Sequence, residues 1–432
     1  MTAITERELP VLLTELPVSS FRRWLGPAMF VLFGLVDILV LGGYSQHGDA
    51  TFAFSAASAK VSVPNLTLPA RVTCFACGGL TLALAPVRAF VPGVSTSKAW
   101  RRVLIGVVAF LFLVALMCWT DAGQSTAFYF TDLLQSTMIT SVPIMLGALT
   151  GVICSRSGVV NIGIEGQLLL GAFLAAIVAS ATGNLWLGLA CGAVGGCLVG
   201  ALLAVFAIAY GVDQVVLGVV LNTLILGLTD YMFDAVLTPY SNTLNSANTF
   251  SPFKIPLLGD IPIIGPALFD SNIFLYLTYV AIFLVQVGLF STRWGLRTRA
   301  IGEHPTAADT VGIKVIAMRY RNVIAAGALA GIGGAYLTIG SVGTFGEDMS
   351  SGFGYIALAA MIFGRYNPFG AISASLLFGF CLSLAQIMGS LNTPIDSNLL
   401  NMVPYVVTIV VLAGLVGRVR GPKAEGIPYV KA

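Results

Sequence analysis

The chain has 432 residues, of which 57% are hydrophobic and only 9% are charged, and its formal net charge is +3. A soluble domain carries about 25% charged residues, so this composition excludes an ordinary soluble enzyme or binding domain. About twelve apolar runs are long enough to cross a bilayer, which needs roughly 20 residues. The composition therefore indicates an all-α integral membrane protein, a polytopic helical bundle.

The predicted spans follow one another closely along the chain. The first run begins after Arg22 and Arg23 behind an acidic start, so we expect it to be retained as a span and not cleaved as a signal peptide. The short run 353–364, and the pair 160–182 and 185–209 with almost no loop, suggest broken or re-entrant helices. The predicted spans are 25–44, 70–87, 103–120, 133–154, 160–182, 185–209, 214–238, 273–291, 322–342, 353–364, 370–391 and 402–417.

The basic residues predict the topology. When the spans alternate from an inner start, 19 of the 22 lysines and arginines fall on the inner side, and only Lys60, Arg71 and Lys254 fall outside. Cytoplasmic loops carry such an excess of positive charge. We therefore expect a multi-pass membrane protein with both termini in the cytoplasm and the lipid bilayer as its solvent.

The cysteines and histidines give no sign of a metal site. Cys74 and Cys77 form a CxxC pair, but no second pair follows, and a structural zinc site needs four ligands. The chain has only two histidines, His47 and His304. A membrane enzyme is therefore disfavoured, and we expect no metal, no catalytic residue, no bound cofactor and no nucleic-acid partner.

Glycines recur every four residues along one predicted helix, at Gly188, Gly192, Gly196 and Gly200. Small residues at this spacing allow two membrane helices to approach closely. The pairs Gly147/Gly151 and Gly327/Gly331 repeat the pattern. The spacing predicts tight helix packing, and a surface that slides during gating is the alternative.

Polar residues inside the spans are candidates for function because they are costly in lipid. Asn161 and Glu165 are four residues apart and share a helical face. Glu165 also lies in a first helical turn, where a carboxylate is favoured by the helix dipole, so structural and functional roles both stay open. Together with Asp230 and Asp234, it keeps an ion-coupled secondary transporter or channel as an alternative class.

The stretch from Arg297 to Arg321 interrupts the apolar sequence with charge. Six of the 22 basic residues lie between Arg293 and Arg321. We expect Gly302 to end the incoming helix and Pro305 to begin a new one. The predicted helix spans about two turns, 305–311, with Ala307, Ala308 and Val311 on one side, and Gly312 ends it. A helix this short is unstable alone and needs a surface to lie against.

Three segments resemble ABC importer permeases of the branched-chain amino acid, simple sugar and nucleoside group. "RAIGEHPTAADTVGI" resembles their cytoplasmic coupling motif, and "SRSGVVNIGIEGQLLLGAF" resembles the block that opens their core. "GFGYIALAAMIFGRYNPFGAI" looks like the nucleoside-type subgroup. The similarity runs from about Leu133 to Arg418, and it implies a type II-like core of about ten helices with an N-terminal extension.

The resemblance implies a non-catalytic transport subunit that pairs with a second homologous permease. It also implies a cytoplasmic ABC ATPase and an extracytoplasmic substrate-binding lipoprotein as partners. The dipeptide Gly-Lys never occurs in this chain, so a phosphate-binding P-loop is absent. ATP and Mg are therefore expected on the partner ATPase.

Site residues are carried over from the resemblance position by position. A coupling role is implied for Arg299, Ala300, Gly302, Glu303, Pro305, Ala307, Ala308, Gly312 and Ile313. A place near the translocation path is implied for Asn161, Glu165, Gln167 and Asn222. The same motif can equally hold a helix break together.

The implied substrates are purine and pyrimidine nucleosides, with simple sugars such as ribose second and branched-chain amino acids third. The predicted parts are a cytoplasmic segment 1–24, extra N-terminal helices 25–102, the permease core 103–418 and a cytoplasmic tail 419–432. The external segment 238–272 either docks the binding protein or only connects two spans.

Overall fold

The computed structural model describes residues 20–43, 48–54, 64–91, 97–123, 128–390, 402 and 421–430. Helices dominate the described residues, and short strands occur at loop positions. The helices are α1 (Ser20–Leu35, continued by a π-helical turn at Val36–Gly42), α2 (Ala70–Phe90), α3 (Lys98–Asp121), α4 (Phe130–Arg156), α5 (Ile164–Thr182), α6 (Leu185–Ala204, with a π-turn at Val205–Ala209), α7 (Gln214–Met232, with a π-turn at Phe233–Leu237), α8 (Ser241–Leu244), α9 (Ile264–Phe269), α10 (Ile273–Ser291), α11 (Arg293–Glu303), α12 (Pro305–Thr310), α13 (Val315–Leu337, with a π-turn at Thr338–Val342), α14 (Phe353–Phe363) and α15 (Pro368–Ser390).

Within the described residues, ten helices are long and apolar enough to cross a membrane. They coincide with ten of the twelve predicted spans, which confirms a polytopic all-α membrane protein. The predicted span 353–364 is the 11-residue helix α14. At about 1.5 Å per residue it covers roughly half of the hydrocarbon core, so it does not cross alone. The span 402–417 lies, apart from Met402, outside the described residues.

The chain divides into two compact units. The first comprises residues 1–55 and 62–130, and the second comprises residues 56–61 and 131–432. The boundary near residue 130 places α3 with the two N-terminal helices, whereas the sequence-based division at 102/103 assigns 103–120 to the core.

The first unit combines its three helices with a small sheet. Strand β1 (Asp49–Ala53) pairs antiparallel with β2 (Leu66–Pro69) and parallel with β3 (Phe128–Tyr129), so the order is β2-β1-β3. The β1 amide of Thr51 donates to Asp121 at the end of α3, over 2.7 Å. The sheet thus links the ends of the helices through loops that lie far apart in sequence.

The second unit is built around α5, α6 and α13, which pack against one another along their glycines. A Cβ on Gly196 would overlap the carbonyl oxygen of Gly327, and one on Gly331 would overlap that of Gly192. A Cβ on Gly171 would meet the backbone of Gly331. The predicted close packing of the glycine-rich helices is confirmed, because backbone meets backbone at these crossings.

The segment between α7 and α10, which the charge pattern predicts to be external, folds on itself. Strands β4 (Phe253–Lys254) and β5 (Asp270–Ser271) pair antiparallel, and Lys254 forms an ion pair with Asp260 at 2.7 Å. Leu257 is 85% exposed. Docking of a binding protein on this segment stays a prediction.

We expect Gly331→Val to destabilise the second unit, because its side chain has no room between α13 and α6. Overpacking typically costs about 1–3 kcal/mol, and backbone contact on both sides leaves little relief. Gly389→Val is the matched control, since nothing lies within 4 Å of a Cβ there. Thermal unfolding in detergent measures the difference, and equal melting temperatures for both variants would contradict the packing argument.

Candidate functional site in the coupling segment and the helix breaks

The coupling segment, residues 293–313, contains two consecutive helices. Helix α11 begins after Thr292, whose hydroxyl accepts from the amide of Gly295 at 3.2 Å. His304 separates α11 from α12, and Pro305 occupies the first position of α12, where its missing N–H costs nothing. Gly312, two residues after the end of α12, has φ +84° and stops the helix from continuing. The predicted short helix and its glycine stop are therefore confirmed.

The prediction that Gly302 ends a helix is wrong. Gly302 lies inside α11, and its φ is not among the positive values of the described residues. A Cβ on Gly302 would overlap the carbonyl oxygen of Arg156 at the end of α4. The glycine is needed for the approach of two backbones, not for a left-handed turn.

The faces of α12 also differ from the prediction that Ala307, Ala308 and Val311 share one side. Ala308 is 4% exposed and packs with Ile301 and Val315. Ala307 is exposed, and Val311 is 75% exposed. The inner face of α12 is therefore covered by this chain, and the outer face is free for a partner.

The nine residues with an implied coupling role have three different environments. Gly302 and Ala308 are buried, and Ala307 and Gly312 are exposed. The half-buried members are Arg299, Ala300, Glu303, Pro305 and Ile313. Arg299 stacks over the ring of Phe290 at 5.0 Å, so it anchors α11 to the end of α10.

Sequence reasoning missed the tail segment, residues 421–430, which lies against the coupling segment. Tyr429 donates its hydroxyl to Asp309 of α12 at 2.9 Å, and the amide of Ala424 donates to the carbonyl of Gly302 at 2.9 Å. Burial raises the pKa of the Glu425 carboxyl, although the hydroxyls of Ser155 and Tyr366 act in the opposite direction. The segment has no apolar periodicity that predicts this docking.

The first helix break, residues 157–163, separates α4 from α5. Asn222 of α7 bridges it: its Oδ1 accepts from the amide of Gly166 at 2.9 Å, and its Nδ2 donates to the carbonyl of Ile162 at 3.0 Å. Asn161 donates to Gln167 at 3.1 Å. Unpaired backbone groups are costly in lipid, so these amides stabilise the irregular backbone. Asn161, Gln167 and Asn222 thus lie together around one break.

The second helix break, residues 343–352, leads into α14. Glu165, the second residue of α5, accepts from the amides of Gly352 at 2.8 Å and Gly354 at 2.6 Å. A carboxylate is favoured at the amino end of a helix, where free N–H groups and the dipole meet it. Glu165 therefore caps α14, and both of its oxygens are engaged. It is 7% exposed.

The two breaks meet inside the protein. Asn222, which bonds the first break, also donates to the hydroxyl of Tyr355 in α14 at 3.1 Å. Asn222 lies about two turns, or about 12 Å, after Gln214, the first residue of α7. Asp230 and Asp234 lie a further two to three turns along the same helix, away from Glu165. The carboxylates considered for ion coupling are therefore not gathered at one place.

Two polar atoms at the first break have no hydrogen-bond partner: Asn161 Oδ1 and Gln167 Nε2. Both side chains are almost fully buried, at 1% and 0% exposure. Elsewhere in the described ranges, no group of three or more histidines, cysteines or acids is placed to hold a metal ion.

We expect Glu165→Ala to uncap α14 and to abolish transport, whereas Glu165→Gln retains one acceptor oxygen and much of the activity. Losing a cap costs about 0.5–2 kcal/mol. Uptake and thermal stability of both variants measure the effect, with Asp234→Asn on the exposed end of α7 as control. Equal loss of uptake in both Glu165 variants with unchanged stability would instead indicate an ion-coupling carboxylate.

Comparison with known proteins adds family information to this geometry. The model of the family described as branched-chain amino acid transport system / permease component matches residues 133–412. The match begins two residues after the second unit begins at Thr131. No solved structure matches the chain.

Several known proteins align with this chain over most of their own length. The guanosine ABC transporter permease protein NupQ of Bacillus subtilis is 40% identical over 312 residues, which is 69% of this chain and 96% of the relative. The nucleoside ABC transporter permease protein NupC of Lactococcus lactis is 38% identical over 304 residues, 68% of this chain and 95% of the relative. A putative glucose ABC transporter permease of Haloferax volcanii is 31% identical over 65% of this chain and 90% of the relative.

The ten apolar helices within the described part of the chain agree with these matches. The chain is a multi-pass protein of the cytoplasmic membrane and belongs to the family of branched-chain amino acid transport system permease components.

Proposed function

We propose that this chain is the permease subunit of an ATP-driven importer and forms the translocation path for purine and pyrimidine nucleosides. The observation that carries the proposal is the coupling segment, whose short helix α12 exposes Ala307 and Val311. An exposed apolar face on a helix too short to be stable alone indicates a protein partner. The names of two relatives about 40% identical support the nucleoside substrate.

The proposed partner at α12 is a cytoplasmic ABC ATPase that binds ATP and Mg. ATP binding would draw two ATPase domains together and displace the coupling segment with them. The displacement would reach α10 through Arg299 and Phe290, and α4 through the contact of Gly302 with Arg156. Alternating access of the path would follow. An extracytoplasmic binding lipoprotein would deliver the solute.

The second permease of the complex is proposed to be a different, homologous chain. In Bacillus subtilis two guanosine permease proteins match, at 40% and 27% identity. In Lactococcus lactis two nucleoside permease proteins match, at 38% and 24%. A transporter with two different permease subunits accounts for one relative of higher identity and one of lower identity in each organism. This chain then corresponds to the subunit of higher identity.

We expect cells that express the complete transporter to take up labelled guanosine and uridine, and cells without this chain to lose that uptake. Excess unlabelled nucleoside should compete, whereas ribose, glucose and leucine should not. A sugar substrate is the second candidate because a glucose permease is 31% identical. Competition by glucose or ribose with no effect of nucleosides would replace the nucleoside by a sugar.

We expect Ala307→Trp to abolish stimulation of ATP hydrolysis by loaded binding protein, because the bulky ring covers the outer face of α12. Leu296→Trp is the matched control, since Leu296 is exposed on the preceding helix α11. Stimulated ATPase activity of the reconstituted complex is the measurement. Normal stimulation and uptake with Trp at position 307 would remove the coupling role of α12.

A further inference from the structure

The tail segment, residues 421–430, touches α11 and α12 through backbone and side-chain hydrogen bonds. The amide of Ala424 donates to the carbonyl of Gly302 at 2.9 Å. Tyr429 donates to Asp309 Oδ2 at 2.9 Å. Ala424 is only 5% exposed, so this contact is a packed one and not a passing surface contact.

The same ten residues also contact the ends of other helices. The amide of Gly426 donates to the carbonyl of Gly158 in the first helix break at 3.3 Å. Arg319 of α13, which is 1% exposed, donates to the carbonyl of Ile427 at 3.1 Å. Glu425 lines one cavity together with Ser155 at the end of α4 and Tyr366 after α14.

The tail segment is therefore the place where four parts of the chain meet. They are the coupling segment, the end of α4 with its break, the first turns of α13 and the turn between α14 and α15. Arg319 reaches the tail segment through Nη1 alone, since its Nε and Nη2 are buried without a hydrogen-bond partner among the described residues. A cavity of about 570 Å³ beside Tyr429 is bordered by Asp309 and by Gly312–Ala317.

We propose that the tail segment is a brace that ties α12 to the broken helices, so that a displacement of α12 reaches them. The proposal rests on the coupling role given above to α12. A six-residue helix transmits a push only if its inner face is held, because it has little stability of its own. Tyr429 and Asp309 hold that face, and the amides of Ala424 and Gly426 connect it to the ends of α11 and α4. Tyr429 is thus a positioning residue, since it acts through α12 and does not touch the solute.

A brace stays docked throughout the cycle, which distinguishes it from an inhibitory strap and from a passive tail. We expect a chain that ends at Arg420 to lose stimulated ATP hydrolysis and uptake while it still assembles with its partners. Raised ATP hydrolysis without binding protein would indicate an inhibitory strap and overturn the proposal. Unchanged uptake would indicate a passive tail and overturn it as well.

Point variants decide the question if the shortened chain does not accumulate. Asp309→Asn keeps an acceptor oxygen for Tyr429 and should retain stimulated ATPase activity. Asp309→Leu and Tyr429→Phe remove the hydrogen bond and should lower that activity to a similar level, with no further loss in the double variant. Val430→Ala is the control, because Val430 is 85% exposed. Full activity of Tyr429→Phe and Asp309→Leu would overturn the brace.

The outcome is separable from that of the proposed function. If Ala307→Trp abolishes uptake while the shortened chain and the Tyr429 variant transport normally, the brace is wrong and the coupling role of α12 stands. If Ala307→Trp also transports normally, the coupling role is wrong. All measurements use the assembled transporter in proteoliposomes, with protein amounts determined for each variant.

Discussion

The carboxylate of Glu165 holds two interruptions of the helical backbone together inside the second unit. A chain that breaks its helices in a membrane must satisfy the freed N–H groups internally. Glu165 is the second residue of α5, directly after the first break, and its carboxylate caps α14 after the second, so it joins the two. Asn222 adds the third connection, from α7 to both. These contacts hold the amino end of α14, while Ile356, Ala357 and Ala360 pack its body into the apolar core of the unit.

The coupling segment and the tail segment are connected to the first break as well. Gly158 and Asn161 belong to one break, yet Gly158 binds the tail segment and Asn161 binds Gln167 inside the helix bundle. The coupling segment touches the end of α4 at Gly302, next to that break. Contacts therefore run without a gap from the exposed face of α12 to Glu165. Contiguity alone does not transmit motion, and transmission requires two arrangements of these parts that ATP binding favours differently.

The sequence predicted the features that depend on local chemistry. Apolar runs located ten spans, Pro305 and Gly312 marked the ends of α12, and the glycine spacing predicted the packing of α6 on α13. It did not predict α11, because its charged sequence has no apolar stripe. The role of Gly302 depends on Arg156, 146 positions away, and the tail segment depends on Gly158 and Arg319. Such contacts form between residues far apart in sequence, so the local sequence around either residue does not predict them.

The N-terminal unit lies outside the part of the sequence that the family model matches. The family match begins at residue 133, and relatives that align over 95–96% of their own length align with only 68–69% of this chain. About a third of this chain therefore has no counterpart in those relatives. The first unit has its own apolar core, in which Phe30, Ala85 and Leu104 pack together, and a sheet that pairs residues within it. The residues that carry transport are accordingly expected in the second unit alone.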